Sequence, residues 1–89
     1  MGDMDIVPLD PRDASWEVAA PTYWVYFWTQ LRASGPWLSE EYELSGVDAP
    51  EVLAWAAATV GDDRTYTVYA CCRWGDQLGL VRLAGTDPI

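Results

Sequence analysis

The chain has 89 residues, a net charge of −9 and no Lys or His, its 14 acidic residues being set against five Arg. That length holds one domain, and a hydrophobic fraction of 51% excludes a wholly disordered chain. A field of this sign repels nucleic acid, whose non-specific binding needs cations to displace counterions, and it repels an anionic membrane surface as well.

Residues 1–21 read as an irregular acidic arm. Asp3, Asp5, Asp10 and Asp13 are interleaved with Pro8 and Pro11, without periodicity. Ile6, Val7, Leu9 and Trp16 are its candidate anchor points. The opening stretch has no apolar centre of a signal peptide. No apolar run reaches the roughly 18 residues of a membrane span, so a cytoplasmic protein is expected.

From Thr22 to Thr29 every residue is β-branched or aromatic, which predicts a strand. Alternation puts Tyr23, Val25 and Phe27 on one face and Trp24, Tyr26 and Trp28 on the other. With both faces apolar, such a strand is either covered on both sides or shows aromatic rings to something outside the chain. Ser34-Gly35-Pro36 marks a turn. Beyond it Leu38, Tyr42 and Leu44 alternate with Ser39, Glu41 and Glu43, while Glu40 shares the apolar parity. That pattern predicts a strand with one buried and one acidic face.

Asp48-Ala49-Pro50-Glu51 fits a capping box, with Pro50 in the first turn and Val47 and Val52 at the positions of a hydrophobic staple. The helix is predicted to run to about Val60 and to stop at Gly61, with Val52, Trp55, Ala56, Thr59 and Val60 as its apolar stripe. Arg64–Arg73 reads as another strand, with Tyr66, Val68, Ala70 and Cys72 opposed in parity to Thr65, Thr67, Tyr69 and Cys71. Trp74-Gly75-Asp76-Gln77 turns the chain, and Leu78–Leu83 returns as the hairpin partner. Residues 86–89 form a short tail. The predicted fold is α+β: residues 22–85 as a single domain, a four-stranded, mainly antiparallel sheet in β-β-α-β-β order with one helix packed on one face.

Chemistry is sparsely supplied. Without His the commonest general base is missing, and without Lys so are Schiff-base chemistry and the Walker A loop. Two adjacent cysteines cannot complete a four-ligand zinc site. One thiol in the core and one on the opposite sheet face is the simpler reading of Cys71 and Cys72; a redox switch would need Arg73 to stabilise a thiolate. Asp62-Asp63 and the Glu40, Glu41, Glu43 run read as solvated surface. No catalytic residue, cofactor or metal is therefore expected.

The six Trp and five Tyr are more informative. Rings of this kind supply binding hot spots. A protein-interaction face is accordingly predicted from Trp24, Tyr26, Trp28 and Tyr69, rimmed by Glu41 and Glu43. Its expected partner is another protein, basic in character, attracted by the acidic field. Inhibitors, immunity-type proteins and nucleic-acid mimics are built to this charge and size. Two other readings stay open: a homodimer or assembly protein using the same face, and a small-ligand binder or carboxylate enzyme with a cleft among the Trp residues. Alternatively, the arm folds over the face, with Trp16 or Leu9 as its lid. Absence of Lys and Asn beside abundant Ala, Gly, Val, Asp and Arg points to a high-GC bacterial or phage genome. Part of the charge pattern is therefore codon usage.

Overall fold

The computed structural model describes residues 4–8 and 21–88, apart from the side chain of Trp74. It contains β1 (Tyr23–Gln30), β2 (Trp37–Leu44), α1 (Ala49–Thr59), β3 (Thr65–Trp74) and β4 (Gln77–Gly85). The strands form one sheet in the order β2-β1-β3-β4, and every neighbouring pair is antiparallel. The expected α+β architecture and β-β-α-β-β order are thus the observed ones. Because β1 opposes both of its neighbours, β2 and β3 run parallel with β1 between them, and α1 makes the crossover.

Local chemistry accounts for the helix ends. Asp48 is the N-cap in extended geometry, and the Glu51 carboxylate accepts its backbone N–H at 3.2 Å. Gly61, with φ of 77°, takes the left-handed position that stops the helix. Arg64 then satisfies two of the carbonyls left open there, donating from Nε to Val60 and from Nη2 to Thr59, both at 2.8 Å. The same guanidinium lies 4.6 Å from the centre of the Phe27 ring and 3.6 Å from Glu40. One side chain so links the helix end, the core and the edge strand.

The core lies between α1 and the two central strands. Val25, Phe27, Val52, Ala56 and Val68 are essentially fully buried, with Tyr23 beside them. Phe27 packs against Trp55, and Tyr42 meets both rings edge-on. An α-helix about 10 Å across spans only about two strands at their ~4.8 Å spacing. The outer strands therefore reach beyond it. Leu38 and Tyr42 on β2, expected on a buried face, are exposed, as is Thr59 on the expected helix stripe. Ile6 and Val7 do not anchor the arm segment that is described; they are 80% and 77% exposed. The proposed anchors Leu9 and Trp16 lie outside the described residues.

The β3–β4 hairpin closes through Gly75 and Asp76, with positive φ at Gly75 alone, the pattern of a two-residue II′ turn. Farther along, a bulge shifts the register between Val68 and Tyr69, so Ala84 opposes Val68 and joins the core, while Gly85 opposes Thr67. Gly85 has φ of 82°, and a Cβ there would collide with the backbone of Tyr66 and Thr67. Gly46 has φ of 72° but faces open space. Gly46→Ala should cost about 1 kcal/mol from its backbone conformation alone. Gly85→Ala should cost about 3 kcal/mol or more, because overpacking adds to that strain. Urea denaturation of the two variants checks this; equal losses would contradict the close approach at the end of β4.

Candidate functional site

β1 is central and apolar on both sides, so α1 decides which of its rings become core. The helix takes the parity of Val25 and Phe27. Trp24, Tyr26 and Trp28 then project from the opposite face, hereafter the far face. Residues directly opposite in an antiparallel pair share a face. Register therefore places Glu43 and Tyr69 beside Trp24, Glu41 and Thr67 beside Tyr26, and Ser39 and Thr65 beside Trp28. All six predicted interaction residues thus project from one surface. Tyr26 stacks on Trp28 at 5.6 Å between ring centres and meets Tyr69 edge-on at the same distance.

The surface is not uniformly open. Trp28 is only 5% exposed, and its indole Nε1 donates to Thr67 Oγ1 at 2.9 Å. Thr67 is itself buried, and its hydroxyl donates to the Thr86 carbonyl at 3.4 Å. The chain leaving β4 thus returns to this end of the far face. Trp28 is therefore a correction to the sequence reading: it is a structural ring satisfied by an internal hydrogen bond, unavailable to a partner. At the other end Trp24, Tyr26, Tyr69 and Cys71 are half-buried, and Glu41 and Glu43 are exposed. Trp24 Nε1 donates to Glu43 Oε2 at 2.9 Å, which holds the carboxylate beside the ring. Trp24, Tyr26, Glu41, Tyr42 and Glu43 line an open groove of about 340 Å³ along the β1–β2 margin.

The structure adds residues that the strand patterns had not marked as part of this site. Register carries the far face onto β4, where Arg82 opposes Tyr69, Leu80 opposes Cys71 and Leu78 opposes Arg73. Leu78 and Leu80 are 41% and 40% exposed. The open half of the face thus has carboxylates along β2, rings in the middle, and aliphatic side chains with Arg73 and Arg82 toward β4. Membership in this surface depended on pairing across the whole sheet.

Titration follows the same geometry. Burial foremost, then the charges of Glu41, Tyr69, Asp87 and Cys71, hold the Tyr26 phenol above its usual range. Burial, then Glu43 and Cys72, push the Cys71 thiol up, with Arg73 opposing them. A raised thiol pKa leaves little thiolate at neutral pH, contrary to what a redox switch needs. Both cysteines are free. Among the described residues no group of three or more metal-ligating side chains converges, and no helix is long and apolar enough to cross a membrane. No family model, curated protein or solved structure matches this chain.

Two measurements test this arrangement. Trp28→Ala should lower stability by about 3–5 kcal/mol, the range for emptying a buried aromatic site, whereas Trp24→Ala should cost about 1 kcal/mol, as is usual nearer the surface. Comparable losses in urea melts would show that the two rings are not distinguished by burial. For Tyr26 the folded state keeps a proton that the unfolded chain gives up. Its stabilising contribution is therefore complete below the unfolded value of about 10 and is lost as pH rises through the folded one. Stability should fall as pH rises above about 10, less steeply in Tyr26→Phe; identical slopes would exclude a raised Tyr26.

Proposed function

We propose that this chain is a non-catalytic protein-interaction module that docks through the open half of its far sheet face. The observation that carries this reading is the half-buried cluster of Trp24, Tyr26 and Tyr69 on the face away from α1, with Glu41 and Glu43 along one margin. Such rings bury much area at little conformational cost, and a contiguous apolar patch on an open sheet suits an interface. The partner presents cationic groups to the β2 margin, complementary to Glu41 and Glu43 there. Arg82 and Arg73 lie toward the other margin, so the matching surface carries an acidic group there. The absence of His and Lys from the chain and the burial that pushes the Cys71 thiol up support a binding role over a catalytic one.

The test is capture from a high-GC bacterial extract by tagged wild-type protein and by a Trp24→Ser/Tyr69→Ser variant. Melting curves establish that the variant is folded. Loss of a specifically captured protein, either a heterologous chain or an untagged copy of this one, is expected with the variant. Equal capture by both baits would overturn the assignment of the face. Captured material should also fall in high salt, as electrostatic attraction is screened.

A further inference from the structure

The registers of the three strand pairs combine into a row that runs across the whole sheet. Glu43 opposes Trp24, Trp24 opposes Tyr69, and Tyr69 opposes Arg82. Read from β2 to β4, the row is acid, ring, ring, base, and all four side chains project from the far face. Reversed, the same row is base, ring, ring, acid. That makes it complementary to itself.

We infer that the partner of the far face is a second copy of this chain, packed face to face about a two-fold axis parallel to the strands and passing between β1 and β3. This rests on the docking reading above and names its occupant. Such an axis exchanges the two margins of the sheet. Glu43 then lies over Arg82 of the second copy, and Trp24 lies over Tyr69 of the second copy, each contact occurring twice. Aligned sheets pack about 10 Å apart. Glu and Arg are long enough for their ends to meet across that gap. Sheet twist turns the outer rows away from register, so the contact is best where the row crosses the axis.

Charge selects this axis over the competing one. A two-fold axis perpendicular to the strands would set Glu43 over Glu43 and Arg82 over Arg82, which is repulsive at both margins. The Trp24–Glu43 hydrogen bond already holds the carboxylate in place for this pairing. The covered end, where Trp28 and Thr67 are buried, lies outside the contact.

Sedimentation equilibrium over a concentration series tests the proposal with single and paired charge reversals at exposed positions, which leave the core untouched. Wild-type protein is expected to form dimers. Glu43→Arg and Arg82→Glu should each raise the dimer dissociation constant about tenfold or more, since each removes two symmetry-related ion pairs and puts like charges together. Glu43→Arg also lowers the net negative charge. Its weakening of the dimer therefore cannot come from general repulsion. The Glu43→Arg/Arg82→Glu double variant should recover wild-type association. An equimolar mixture of the two single variants should form a heterodimer, because all four facing charges are then opposite. A wild-type protein that stays monomeric throughout the series overturns the inference, as does a dimer indifferent to both reversals. Either result leaves the docking reading to be judged by the Trp24→Ser/Tyr69→Ser capture experiment.

Discussion

The structure depends on a limit of coverage. One 11-residue helix must shelter a four-stranded sheet, and it can lie over only about two of the strands. Those two are β1 and β3, whose inward residues form the buried core with Val52 and Ala56. Everything beyond the helix is left to other means. On β2, the exposed Glu40 pairs with Arg64, which ties an edge strand to the helix terminus and to Phe27. On β4 a bulge brings Ala84 back to the core, while Val81 stays exposed.

The same limit divides the rings of β1 into two populations. Tyr23 and Phe27 are core because α1 lies over them, and Trp28 is buried on the opposite face, where Thr67 satisfies its N–H. A buried indole without that acceptor would bear the desolvation cost of an unmade hydrogen bond. Among the described residues, none gives Trp24 and Tyr26 such cover. Trp24 instead gives its N–H to an exposed carboxylate, so the ring is ordered and yet accessible. A fixed, half-buried indole beside an acidic group is already close to a bound conformation, and preorganisation of this kind reduces the entropy lost on association.

Charge is distributed with similar consequences. Across the chain the excess is strongly acidic, yet on the far face it is polar, with Glu41 and Glu43 at one margin and Arg73 and Arg82 toward the other. Net charge governs long-range approach; this local separation governs which surfaces fit once they meet. A self-complementary row can therefore operate within a chain whose copies repel at a distance.

The element order, the helix with its cap and stop, the β3–β4 turn and the alternation within β1, β2 and β3 were all legible in the residues alone. These are short-range properties, set by φ preferences, capping hydrogen bonds and side-chain parity over a few residues. Even the common parity of Trp24, Tyr26 and Trp28 was legible, and so was the acidic parity of Glu41 and Glu43. That Trp28 is closed, while Trp24 is half-buried among the described residues, came from the fold, because it depends on Thr67 and Thr86, distant in sequence. The fold also decided that Glu43, Trp24, Tyr69 and Arg82 form a single row. The hairpin turn sets the pairing of Tyr69 with Arg82, but β1 and β3 are joined by no tight turn. Their register comes from fitting Val25, Phe27 and Val68 beneath one helix.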